Sequence, residues 1–69
     1  MKLSARNVLK GKVIEVKKGA TTAHVRIQLP GGAIITSSIT NEAVDELRLA
    51  RGDDAYAVIK ASDVMVGRD

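Results

Sequence analysis

Apolar residues recur with a period of two over most of this chain. The clearest stretch is Thr21 to Leu29. There Ala23, Val25, Ile27 and Leu29 fall on one face of an extended strand, and Thr22, His24, Arg26 and Gln28 on the other. Val8 to Lys18 alternates more loosely. Val8, Lys10, Lys12, Ile14 and Val16 interleave with Leu9, Gly11, Val13 and Glu15, so both phases carry apolar side chains. That pattern predicts a long strand partly buried on both faces. Ala33 to Ile39, rich in β-branched residues, predicts a third strand. Lys17-Lys18-Gly19-Ala20 and Pro30-Gly31-Gly32 separate the three strands as turns, with glycine reaching the positive φ that tight hairpins require.

The period changes between Thr40 and Leu49. Ala43, Val44 and Leu47 lie three and four residues apart on one face, and Asp45, Glu46 and Arg48 lie outside it. This predicts a short helix of two or three turns, with Thr40 as N-cap and Glu42 at the positive end of its dipole. Arg51-Gly52-Asp53-Asp54 is a solvated turn. Ala55 to Ala61 predicts a fourth strand, and Val64-Met65-Val66 a short fifth. The order β-β-β-α-β-β has no linker, repeat or low-complexity stretch. It predicts one domain over residues 1–69: mainly β, a small five-stranded OB-like barrel with one short helix between strands three and four.

Composition sharpens the picture. A chain of 69 residues buries only about 60% of its unfolded surface, so its own core is marginal. Cysteine is absent, which removes disulfides and thiolate metal sites, and the single histidine, His24, removes a histidine-cluster site for a bare metal cation. Yet 45% of the residues are hydrophobic. The missing stability is therefore expected from subunit interfaces in a homo-oligomer. The net charge of +3 suits small anions or a weak nucleic-acid surface. Tyr56 is the only aromatic, and single-strand binding on small barrels normally uses several stacking aromatics, which counts against nucleic acid. The apolar runs are too short to span a membrane. Met1-Lys2-Leu3-Ser4 turns polar at once, unlike an export signal, so a soluble cytoplasmic protein is expected.

Three segments carry candidate chemistry. Ser4-Ala5-Arg6-Asn7 and Lys60-Ala61-Ser62-Asp63 each place hydroxyl and cationic donors beside a strand-like run. Ile39-Thr40-Asn41-Glu42-Ala43-Val44 runs from a strand into a helix start. Hydroxyls, positive charge and the N–H groups of a helix start are what a small oxyanion needs. His24 is isolated, and the carboxylates lie in turns or on the outer helix face, so no acid–base pair is assembled and no enzyme is expected.

Those residues also carry a resemblance. Ser4-Ala5-Arg6-Asn7 with Leu9-Lys10-Gly11-Lys12-Val13 resembles the opening of the molbindin family, the small molybdenum-pterin-binding-type (Mop) proteins. The likeness continues through Lys17-Lys18-Gly19, Ile34-Ile35-Thr36-Ser37, Ile39-Thr40, Asp45-Glu46-Leu47 and Ala57-Val58-Ile59-Lys60-Ala61-Ser62-Asp63-Val64-Met65. It spans nearly the whole chain, as a single domain of Mop/TOBE type. The resemblance implies an OB-like fold, a hexamer built as a trimer of dimers, and storage of molybdate or tungstate at subunit interfaces, in the service of molybdenum homeostasis. It also implies relatives with the same domain in molybdate-responsive regulators and molybdate importer ATPases. Arg48 departs from the family pattern, in which glycine is common after the helix's leucine.

On that resemblance, molybdate would be held by hydroxyls of Ser4, Thr40 and Ser62, by Lys60, and by Arg6 through its guanidinium or its backbone N–H. Ala5, Ala43 and Ala61 could act only through the backbone. The plainer reading of each residue stays beside this one. Ser4 and Arg6 are also ordinary solvated residues, Lys60 a strand-edge lysine, Thr40 a helix cap whose one oxygen then serves two roles, and Ser62-Asp63 a turn. Gly19, Ala20 and Thr22, after two lysines, form either a hairpin turn or a second anion site through backbone N–H groups. The alternative function is a small OB-type nucleic-acid-binding module.

Overall fold

The computed structural model describes residues 1–69. Strands β1 (Asn7–Lys18), β2 (Thr22–Gln28) and β3 (Ile34–Thr40) are followed by helix α1 (Asn41–Leu47), strand β4 (Asp54–Ile59) and a 3₁₀ turn over Ala61–Asp63. The strands form one antiparallel sheet in the order β3-β2-β1-β4.

β1 pairs along both edges, but with different halves of its length. Its first half pairs β4 from Asn7↔Ile59 to Lys12↔Asp54. Its second half pairs β2 from Lys12↔Gln28 to Lys18↔Ala23. On the β2 side, Val13 faces Ile27 but Glu15 faces Arg26, so Ile14 is an extra residue in the ladder. A bulge of this kind bends its strand and exchanges the side-chain faces beyond it. Gly11 and Val13 are buried before the bulge, and Val16 turns inward after it. The mixed phase of Val8 to Lys18 thus reflects one inward phase on each side of Ile14, in place of a strand buried on both faces.

The core consists of Val13, Ala23, Val25, Ile27, Val44 and Ala57. Gly11 is buried because β2 lies against it. A Cβ there would sit 2.5 Å from the Gln28 carbonyl oxygen and 2.7 Å from Ile27 Cγ2. The sheet does not close. A trough of about 690 Å³ opens between the two edge strands, lined by Ile35 and Ile39 of β3, Ala57 and Ile59 of β4, and Leu47 and Leu49.

α1 starts where the sequence predicts. Thr40 is its N-cap, and its Oγ1 accepts from the Ala43 N–H at 3.0 Å. The helix ends at Leu47, earlier than the expected Leu49, because Arg48 takes the left-handed conformation (φ 51°, ψ 43°). The Arg48 N–H donates to the Asp45 carbonyl and the Leu49 N–H to the Val44 carbonyl, each at 3.1 Å, and Leu49 packs against the core that holds Val44. This is the Schellman ending, whose left-handed position is usually glycine.

Two strand expectations need correction. β4 ends at Ile59, short of Ala61, and Val64-Met65-Val66 is not a strand. The Asp63 and Val64 N–H groups bond back to the carbonyls of Lys60 and Ala61, at 2.9 and 3.3 Å, so the local turn carries the chain off the end of β4. A strand needs the free edge of a neighbour, and this segment pairs with neither β3 nor β4. The chain folds as a four-stranded half-barrel, with Met65 and Val66 exposed.

Two substitutions should move stability in opposite directions. Gly11→Ala must displace the β2 backbone and is expected to cost about 1–3 kcal/mol. Arg48→Gly relieves left-handed strain of about 1–2 kcal/mol against an unfolded-state entropy loss of about 0.4–1 kcal/mol, a net gain of roughly 0.5–1 kcal/mol. Urea unfolding at one fixed protomer concentration reads both as shifts of the midpoint.

Candidate oxyanion site

The β1–β4 ladder brings the two end motifs together. Its last pair is Asn7↔Ile59, and Asn7 Nδ2 donates to the Ile59 carbonyl at 3.2 Å. Ser4-Ala5-Arg6 and Lys60-Ala61-Ser62 therefore leave the same end of the sheet on adjoining strands. Ser4, Arg6, Lys60, Ala61 and Ser62 are exposed and Ala5 is half-buried. Asn7 was not among the candidate ligands, yet it closes the ladder that joins the motifs. The signal was its place as the last residue of Ser-Ala-Arg-Asn.

Lys60 opens the 3₁₀ turn in an extended conformation. Neither Lys60 nor Arg6 has a carboxylate partner, since the chain's two ion pairs are Lys12–Asp54 at 2.9 Å and Lys18–Asp45 at 2.6 Å. Two cations and two serine hydroxyls thus sit on adjoining strand ends, with Asp63 in the same turn as the one nearby carboxylate, not ion-paired with either cation. At the other end of β4, the Lys12 ammonium, by hydrogen bond and attraction, holds the Asp54 carboxyl below its ordinary value. No group of His, Asp and Glu side chains could hold a metal cation, and no helix is long and apolar enough to cross a membrane.

Thr40 and Ala43 lie elsewhere. Thr40 faces Thr22 across β2–β3, and the neighbouring pair Ala23↔Lys18 places both at the far end of β1 from Asn7. The twelve residues of β1, bent at the bulge, lie between the two clusters along the strand. The longest dimension of the whole molecule is 34 Å. Within Thr40 the two expected roles do not compete. Oγ1 accepts the Ala43 N–H on a lone pair and keeps its own proton to donate outward. The Ala43 N–H is already spent on that cap and is not free for a second acceptor.

The second candidate group lies beside Thr40. The Gly19 N–H is taken by the Thr22 carbonyl at 2.7 Å, which closes the β1–β2 turn. Ala20 and Thr22 are exposed. His24 is also exposed, and its cross-strand neighbours are Lys17 and Ser38.

Residues 3–66 match the family model described as the TOBE domain. The chain belongs to the TOBE-domain family. Its relatives are of the molybdenum-pterin-binding type. It is 51% identical over 67 residues to a probable molybdenum-pterin-binding protein of Haemophilus influenzae, covering 97% of each chain. Its fold superposes on MopII of Clostridium pasteurianum with a TM-score of 0.91 at 46% identity, covering 97% of this chain and 100% of that one. It superposes equally, with a TM-score of 0.91 at 52% identity, on the cytoplasmic molybdate-binding protein ModG solved with molybdate bound. There it covers 94% of this chain and 46% of the longer one. The Mop resemblance read from the end motifs is therefore borne out, and the half-barrel is the family's OB-like fold.

Substitutions at Thr40 can separate its cap from any role as an outward donor. Thr40→Val should lose the cap, at about 1 kcal/mol, together with the outward donor. Thr40→Asp should keep the cap and hold stability within about 0.5 kcal/mol, but it presents an acceptor-only carboxylate to the anion. Thr40→Ser should keep both. Urea unfolding paired with molybdate titration of the three variants distinguishes the two roles.

Proposed function

We propose that this protein binds molybdate, with tungstate as an equivalent ligand, at sites completed between protomers of a homo-oligomer. The observation that carries the reading is the near full-length match, at about half identity, to molybdenum-pterin-binding proteins, in a chain that retains the donors such a ligand needs. The ligand-binding residues are Ser4, Arg6, Lys60 and Ser62 from one protomer, with backbone help from Ala5 and Ala61. Thr40, backed by Ala43, comes from another. The separation of these groups by the length of β1 supports the division. The assembly is a hexamer, a trimer of dimers, that stores the anion in the cytoplasm and so serves molybdenum homeostasis. The Gly19, Ala20 and Thr22 turn is a second, weaker anion site.

The chemistry follows from the donor set. Molybdate is a tetrahedral dianion with four acceptor oxygens and no proton near neutral pH, so it is served by donors alone. Hydrogen phosphate brings a proton that finds no acceptor, at a cost of about 1–3 kcal/mol. Sulfate is also an all-acceptor dianion, and only cavity size separates it from molybdate. A molecule that holds its ligand through donors, with no assembled acid–base pair, works as a binding protein. The comparisons give the nucleic-acid reading no support.

Calorimetric titration with molybdate, tungstate, sulfate and phosphate, alongside native mass spectrometry, tests this. Molybdate and tungstate should bind to a hexamer and phosphate at least about tenfold more weakly. Equal affinity for phosphate would contradict the donor-only site. The division between protomers has its own test. Thr40→Val and Lys60→Ala hexamers should each bind poorly, whereas mixed hexamers from co-expression should regain a share of strong sites. In a site built within one protomer, every copy carries a lesion and mixing restores nothing.

A further inference from the structure

α1 is only seven residues long. A helix of that length is not stable by itself, so its start is fixed by what it is tied to. The strongest tie is Asn41. Its backbone N–H donates to the Thr21 carbonyl at 2.9 Å, and its Nδ2 donates to the Gly19 carbonyl at 3.0 Å. Both acceptors lie in the β1–β2 turn, and the Lys18–Asp45 ion pair ties α1 to the end of β1 beside that turn at 2.6 Å. The amide is held in one orientation, because only its NH₂ can serve a carbonyl. That orientation leaves Asn41 Oδ1 buried with no hydrogen-bond partner. A buried acceptor without a donor is unfavourable, so the residue gains little in stability from its own amide. What the amide secures is position: Thr40 and Ala43 flank it within one helical turn, and Thr22 of the turn faces Thr40 across the sheet.

We infer that Asn41 is a positioning residue through which the β1–β2 turn sets the aim of the Thr40 hydroxyl, and so the affinity of the oxyanion site. The inference rests on the functional reading given above. It makes the Gly19–Thr22 turn an affinity control for a site to which it donates nothing directly. A shift of the turn's carbonyls moves Asn41, and Asn41 moves the helix start that carries Thr40 and the Ala43 N–H.

The turn can be disturbed from the other side. A Cβ at Gly19 would stand 3.0 Å from the Thr22 carbonyl oxygen and push on the turn without touching Thr40. The experiment is a double-mutant cycle of Asn41→Ala and Gly19→Ala. It is read by molybdate calorimetry on samples shown by native mass to match the parent assembly, with the Ala43 amide resonance recorded for each variant without anion. Each single variant should weaken molybdate roughly three- to tenfold and shift the Ala43 amide signal. The double variant should be no weaker than the weaker single, because both act through one link. Parent-like affinity in the single variants, or losses that multiply in the double, overturns the inference. If Asn41→Ala fails to assemble, Gly19→Ala decides alone, read on the tighter molybdate step because the turn itself forms the weaker site. Reduced affinity in that step with a shifted Ala43 signal supports the link, and unchanged affinity in it removes the link. Failure of the unsubstituted protein to bind molybdate sinks the functional reading instead, and is recognised before any variant is compared.

Discussion

Everything in this fold hangs on β1 and on the offset with which it is shared. β4 occupies one edge of its first half and β2 the other edge of its second half, with Lys12 common to both ladders. The bulge at Ile14 and the bare backbone of Gly11 are what let one strand serve two neighbours. The bulge turns the inward face as the partner changes, and the glycine lets β2 lie directly on β1 at the crossing. From this the rest follows. The ends of β1 lie far apart, each collects a different set of donors, and the edge strands β3 and β4 are left to wall an apolar trough that one chain does not fill.

The donors reach their places by different physics at the two ends. At the Asn7 end the ladder brings two chain segments together, and unpaired cations and hydroxyls concentrate where backbone pairing stops. At the Lys18 end one hydroxyl caps a helix and is left with its own donor. Thr40 ends a strand, caps a helix and still has a proton to give. A short helix with a buried valine and a clamped first residue is a sound mount for that hydroxyl, because Val44 anchors it to the core while Asn41 fixes its start.

Much of this was legible in the sequence because period and punctuation are local. The clean alternation of Thr21 to Leu29 became β2 almost residue for residue, and Thr40 is the cap that its position before Glu42 and Ala43 suggested. What escaped was what depends on partners in space. The two phases of Val8 to Lys18 suggested a strand partly buried on both faces, and the bulge that produces them emerges only once β2 fixes the register. Val64-Met65-Val66 has the residues of a strand and no edge to join. The end motifs stood out as donor-rich, and their adjacency follows from the β1–β4 pairing, which no spacing along the chain encodes. Arg48 was visible as a departure from the family pattern. The reason glycine is favoured there, a left-handed backbone at the helix end, appears only in the dihedral angles.

The placement of donors at opposite ends of β1 has a consequence for how such a protein would respond to its own abundance. A site whose halves belong to different protomers obeys mass action in two variables at once. Ligand favours the assembled form that carries complete sites, and protomer concentration decides how many such sites exist to be filled. Retention of the anion would then be steepest where the protein is plentiful and would fall away on dilution, with no change in any protomer's own fold.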